Sequence, residues 1–254
     1  MVGGIFGYNE GQAVEVTGCT NNGIIIGENS ASCANYISVG GICGRINNGS
    51  AKVNDNTCGT LSHVKLIANT TNQLAVAGGI IGGANTVGEI SRNVNNGKVT
   101  ATNAATKNNN CAYAGGIFGS DCESGSGAAS VTGNKNFGAI HAAVTGKAAA
   151  DNTYFSGTGT GIGAGGLFGG ISKTAAANVK DDNINYGNVT ASNFETVAGA
   201  GALAGASKNT WSAKVGSSVT VNGAAGAEGT PASAWLCPVG GGTVTATYVD
   251  APAN

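Results

Sequence analysis

One short phrase recurs along the chain: Gly-Gly-apolar-apolar-Gly. It reads Gly3-Gly4-Ile5-Phe6-Gly7, Gly40-Gly41-Ile42-Cys43-Gly44 and Gly78-Gly79-Ile80-Ile81-Gly82. It returns as Gly115-Gly116-Ile117-Phe118-Gly119 and Gly165-Gly166-Leu167-Phe168-Gly169, and a worn copy, Gly201-Ala202-Leu203-Ala204-Gly205, closes the series. Successive copies start 37, 38, 37, 50 and 36 residues apart. A fixed period of this size marks units that each stack on their neighbours to bury a continuous core. The phrase therefore constrains shape strongly and chemistry weakly.

A second motif follows each glycine pair. It reads Cys19-Thr20-Asn21-Asn22-Gly23-Ile24-Ile25, then Asn93-Val94-Asn95-Asn96-Gly97-Lys98-Val99. Further copies are Asn134-Lys135-Asn136-Phe137-Gly138-Ala139-Ile140 and Asn183-Ile184-Asn185-Tyr186-Gly187-Asn188-Val189. The second copy reads as a drifted Asp55-Asn56-Thr57-Cys58-Gly59-Thr60-Leu61, and the last as Val221-Asn222-Gly223. The alternation of two places Asn, Asn, Gly and an apolar residue on one side of an extended chain. If the units stack in register, Asn21, Asn95, Asn136 and Asn185 lie above one another. Their amides, donors and acceptors at once, then bond along the stack. Asn and Gly also tolerate the positive φ that a corner needs.

The apolar runs are short and bounded by Gly or Asn: Ala13–Val16, Ile24–Ile26, Lys98–Ala101, Ser130–Thr132. That is the grammar of strands and turns, with no capped amphipathic helix. Proline is absent before Pro231, as suits strands that all donate to a ladder. The expected fold is all-β: a parallel β-helix or β-solenoid of about six repeats over residues 1–223, starting near Gly3, Gly40, Gly78, Gly115, Gly165 and 201. One or two coils per repeat both fit. Residues 224–254, with all three prolines and a strand-like Thr243–Val249, fit a C-terminal cap.

One detail strains a plain sheet. In the opening phrase two adjacent residues are apolar, although neighbours on a strand point to opposite faces. Either a glycine kink turns both inward, or another layer or molecule covers the outside.

Charged residues make up only 10% of the chain and the net charge is −1, which leaves no basic field for nucleic acid. No apolar run is long enough to span a membrane. Met1 leads at once into a repeat, which fits a piece of a longer protein whose targeting segment lies elsewhere. The seven cysteines are an odd number, so at least one is free or pairs with another chain. Cys43 is the best candidate for a buried thiol, because its column holds Phe6, Ile81, Phe118, Phe168 and Ala204. The other six allow 15 pairings by sequence alone, and no Cys-x-x-Cys suggests zinc.

Catalytic candidates are scarce. His63 and His141 have no nucleophile at a suggestive spacing, and His141 is expected to face outward. Lys180-Asp181-Asp182 reads as a solvated corner, since consecutive acids point opposite ways. Gly161-Ile162-Gly163-Ala164-Gly165-Gly166 matches the dinucleotide fingerprint in letters, but it leads into a strand and not a helix. The fourth repeat carries an insertion near 146–163, where Tyr154 and Phe155 form a candidate interaction loop. No catalytic, cofactor-binding or metal residues are expected.

The run Cys19-Thr20-Asn21-Asn22-Gly23-Ile24, followed by Tyr36-Ile37-Ser38-Val39-Gly40-Gly41-Ile42-Cys43-Gly44, resembles the glycine-rich GLUG-type and related β-helical repeats of bacterial cell-surface proteins. The resemblance covers residues 1 to about 205. It implies an extracellular or cell-surface, non-enzymatic role as stalk or adhesive surface, with no cofactor. The partners it implies are a surface glycan, a protein ligand, or further copies of the chain in lateral or end-to-end filaments. The chain departs from the pattern by carrying Asn for Cys in most copies. The alternative from another class is a carbohydrate-binding or polysaccharide-cleaving β-helix enzyme, which needs a groove of acids.

Overall fold

The structure is a computed structural model that describes residues 1–29, 36–69, 74–104, 111–121, 125–144, 162–193, 199–223, 226–231, 236–237, 243–250 and 252. It is a β-solenoid with one coil per repeat. Each coil contributes a strand to each of four sheets, and successive coils pair in parallel. The coil spacing is therefore the usual interstrand distance of about 4.8 Å.

The first sheet stacks Val2–Gly3, Ile37–Gly40, Leu74–Gly78, Cys111–Gly115, Ile162–Gly165 and Gly199–Gly201. The second stacks Phe6–Glu10, the long Cys43–Asn54 and Ile81–Ser91, then Phe118–Ser120, Phe168–Ile171 and Ala204–Ser207. The third is narrow: Thr20–Asn21, Thr57–Cys58, Val94–Asn95, Lys135–Asn136, Ile184–Asn185, then Trp211–Gly216 and Val244–Val249. The fourth runs Ile24–Glu28, His63–Ala68, Lys98–Asn103, Ile140–Val144, Val189–Asn193 and Thr220–Gly223, and ends on Gly226–Pro231. That last strand is antiparallel to its neighbour. The tail thus does two different things: it closes the fourth sheet antiparallel and extends the third in parallel.

The first sheet is buried on both faces, which explains its small, continuous apolar strands. Ala75, Val76 and Ala77 are all inaccessible, as are Ala112, Tyr113 and Ala114. One face packs on the fourth sheet, where a side chain on Gly27 would strike Val39. The other packs on the second sheet, where the Ser38 hydroxyl donates to the Gly44 carbonyl.

Between these two layers lies the recurring phrase, and it is a corner. The chain bends at Gly79-Ile80, and Ile80 and Ile81 both turn inward. The same holds for Ile42/Cys43, Ile117/Phe118, Leu167/Phe168 and Leu203/Ala204, all 0–1% exposed. The backbone signature is constant. The N–H groups of Ile80 and Ile81 both donate to the one carbonyl of Ile117, at 3.1 and 2.9 Å. Ile42/Cys43 share Ile80 O, Ile117/Phe118 share Leu167 O, Leu167/Phe168 share Leu203 O, and Leu203/Ala204 share Leu236 O. The kink is thus the explanation of the paired apolar residues, and an outer cover is not needed. In the first coil the same corner leaves Ile5 51% exposed.

Two repeats are registered differently from the sequence reading. In the second coil Asn56 and Cys58, not Asp55 and Thr57, occupy the inward column, because Cys58 pairs with Asn21 and Asn95. Thr60-Leu61 form a two-residue expansion of the turn, so Leu61 is 80% exposed and Val64 and Leu66 fill the strand. In the last coil Val221 pairs with Val189 in the fourth sheet, and the inward column is held by Val215 opposite Asn185.

Candidate functional site

The buried polar groups come first, because they decide which chemistry is left for solvent. Asn56, Asn93, Asn134 and Asn183 are fully buried and stacked. Each amide nitrogen donates to the next amide oxygen at 2.9–3.0 Å and to a backbone carbonyl of the preceding coil. Each oxygen also takes the backbone N–H of the preceding asparagine. A second ladder runs Asn95–Asn136–Asn185, with 2.8 Å between amides. Here each oxygen also takes the N–H two residues on, at Gly97, Gly138 and Gly187. Asn21 sits in this column but is cut off by Cys58, and donates instead to the Gly41 carbonyl at 3.0 Å. The Cys58 thiol donates to the Gly79 carbonyl. The column is paired with the glycine phrase across the coil. A Cβ on Gly79 would lie 2.5 Å from Asn95 Cγ, and one on Gly41 the same distance from Cys58 Sγ. Where the column turns to Val215, the second glycine of the phrase has become Ala202.

Positive φ falls just before the ladder and not on the asparagines. Gly18, Asp55, Arg92 and Gly133 are left-handed, with φ of 67°, 58°, 52° and 65°. Asp55 and Arg92 therefore turn corners that glycine turns elsewhere, and they meet in a two-point ion pair at 2.8 Å. The Arg92 guanidinium lowers the Asp55 carboxyl below its usual range. At the next corner Asp182 accepts from Gly133 N and Thr132 Oγ1, at 2.8 and 2.7 Å, and both Asp181 and Asp182 are solvated as the sequence suggested.

One carboxylate is wholly buried and was not singled out by any motif. Asp121 accepts four hydrogen bonds, from the N–H groups of Ser172, Lys173 and Thr174 and from Thr174 Oγ1. Burial pushes its carboxyl upward, against the lowering effect of those donors. The site is filled by the chain's own acid and anchors the short fifth-coil strand.

Cys43, Cys58 and Cys111 are buried free thiols, Cys19 is free and half-buried, and Cys237 is half-buried. Burial pushes Cys43, Cys58 and Cys111 up to about 12. Among the described residues no group of three or more His, Cys, Asp or Glu could hold a metal, and no helix is long and apolar enough to cross a membrane. Phe137 and Tyr186 stack outside the third sheet, with centroids 4.9 Å apart and planes 12° apart. Each ring spends one face on the other, which makes the pair a further tie between coils. Tyr154 and Phe155 lie outside the described residues, as does most of the insertion.

The outer face of the fourth sheet presents its side chains in regular columns. Its register sets Ile24, His63 and Lys98 in one column, and Ile26, Lys65, Thr100, His141 and Thr190 in the next. Ile67, Thr102, Ala143 and Ser192 form a third. Inward residues alternate with these, so all three columns face out, His141 among them. Ile24 and Ile26 are 64% and 52% exposed. His63 Nε2 lies 3.0 Å from Thr100 Oγ1, tying adjacent coils. Burial and the positive charge of Lys98 lower both imidazoles, and Lys65 adds to the effect at His63. No family model, curated protein or solved structure matches the chain.

Proposed function

We propose that the chain is a non-enzymatic repeat rod of the cell surface, adhesin-like, which binds through its flat outer faces. One observation carries this reading: the buried polar side chains that recur from coil to coil are consumed by ladders that hold the coils together. The interior is thereby committed to rigidity, and the side chains free to meet a partner stand on the outer sheets at regular spacing. The extracellular placement rests on the likeness of the repeat to surface-protein repeats.

End-to-end assembly is the variant of this reading that the open edge of the first coil would serve. That coil carries Glu10, Glu15 and Glu28, all exposed.

The test is retention of the labelled chain on immobilised polysaccharides and extracellular-matrix proteins, with a reducing-end assay run in parallel. Retention without sugar release is expected. Failure to bind any surface, or steady sugar release, would overturn the reading. Light scattering at rising concentration separates rod from filament.

A further inference from the structure

We infer that the outer face of the fourth sheet, around Lys65 and Lys98, is a binding site for an acidic polysaccharide of the polyuronate type. The inference rests on the surface-binding reading and names its ligand class. Three observations carry it.

First, Lys65 and Lys98 stand on adjacent coils and in adjacent outward columns, flanked by His63 and His141. Four nitrogen-bearing side chains thus gather over three coils. The acid on the outward columns of this stretch is Glu28, opposite Ile67 at the margin. In a chain of net charge −1 the two lysines are a local concentration of one sign, and like charges raise the potential of a face without help from the whole protein.

Second, the groups between the cations are suited to sugars. Thr100, Thr102, Thr190 and Ser192 present hydroxyls on a regular lattice, while Ile24 and Ile26 continue the same columns as exposed apolar surface. A pyranose ring offers hydroxyls at its edge and C–H groups on its faces, so both kinds of surface find a match.

Third, the face lacks what a nucleic acid would need. No aromatic residue that could stack a base stands among the thirteen residues of its three columns, Glu28 included, and the stacked pair Phe137 and Tyr186 belongs to the third sheet. A polymer with one carboxylate per sugar suits two lysines better than a backbone of far denser charge.

The experiment titrates the full chain with polygalacturonate, with its methyl-esterified form, and with duplex DNA, by calorimetry. Binding to the free acid is expected, fading as salt shortens the Debye length from about 30 Å at 0.01 M to about 8 Å at 0.15 M. The K65Q/K98Q variant should bind about tenfold more weakly with an unchanged melting temperature, while E28Q binds more tightly. Equal binding of the esterified polymer, undiminished binding by K65Q/K98Q, or tighter binding of DNA would overturn the assignment. So would no binding to polygalacturonate alongside retention on other surfaces, which leaves the surface-binding rod standing. Failure on every surface overturns both.

Discussion

Asn95 occupies the volume that a side chain on Gly79 would need: a Cβ built on that glycine falls 2.5 Å from Asn95 Cγ. The two repeated motifs are therefore one interlocking device. The glycine is required by the amide and, closer still, by the Gly116 carbonyl of the next coil, and the amide reaches the corner because the glycine is bare. The G79A and G116A variants should lose about 1–3 kcal/mol or more by overpacking against Asn95, Asn136 and the corner carbonyls. A202G, in the coil whose column holds Val215, should cost no more than about 1 kcal/mol from chain entropy. Urea midpoints of the three variants check the contrast.

Asn134 lies in the middle of the four-membered ladder and joins the coils on both sides. The N134A variant strips the acceptor from the N–H and amide of Asn93 and the donor from the Ile90 carbonyl. At about 1–3 kcal/mol for each buried group left unsatisfied, the loss should exceed about 3 kcal/mol. N96A, at a half-exposed turn, should stay within about 0.5 kcal/mol. Chemical denaturation of both gives the comparison.

The thiols divide by depth. Cys43, Cys58 and Cys111, pushed up to about 12 by burial, should resist iodoacetamide at neutral pH until the chain unfolds. Cys19, free and half-buried, should label in the folded protein. Mass mapping of alkylated peptides before and after denaturation reads the order, and native labelling of Cys43 would contradict the packing.

Asp121 holds three consecutive backbone N–H groups and the Thr174 hydroxyl. D121A leaves those donors buried without an acceptor and should cost about 3 kcal/mol or more. D121N keeps one oxygen but turns an NH2 group toward a donor, so it should fall between alanine and the natural residue. The ranking of the three melting temperatures is the readout.

The imidazoles set a pH dependence with a definite sign. His63 and His141 are held below the ordinary value by burial and by Lys98. The unfolded chain therefore binds protons more readily. Stability is full above the unfolded value of about 6.5 and falls as pH drops through it toward the lower folded-state values. The melting temperature should decline between about pH 7.5 and 5, and the decline should be smaller in an H63Q/H141Q variant.

The repeat period and the alternation of Asn, Asn, Gly and an apolar residue were legible because they are local and exact in spacing. Asn93, Asn95, Gly97 and Val99 do all face inward. The register of the second coil was not legible, because Gly59 imitates the conserved-looking turn glycine while Ser62 actually takes the place opposite Gly97. The last coil misled for a similar reason: Asn222-Gly223 copies the letters, but Val221 pairs in the fourth sheet. The double burial of the first sheet was also hidden. A strand such as Cys111-Ala112-Tyr113-Ala114-Gly115 carries no alternation to show that both faces are covered. Asp121 left no signal, since its partners lie about fifty residues away and three of the four are backbone groups.

The amides of both ladders all point the same way along the axis. Asn93 gives one amide hydrogen to Asn134, and Asn134 gives one of its own to Asn183, while each corner pair such as Ile80 and Ile81 donates forward to the following coil. Along the ladders and at the corners a coil once in place thus offers hydrogens to its successor, while in the third sheet it offers carbonyls, as Asn56 does to Val94 N–H and Asn93 to Lys135 N–H. A chain synthesised from its N-terminus delivers the successor next, onto a surface whose demands are already set. The stack is a vectorial template, in which the order of translation is also the order in which valences are filled.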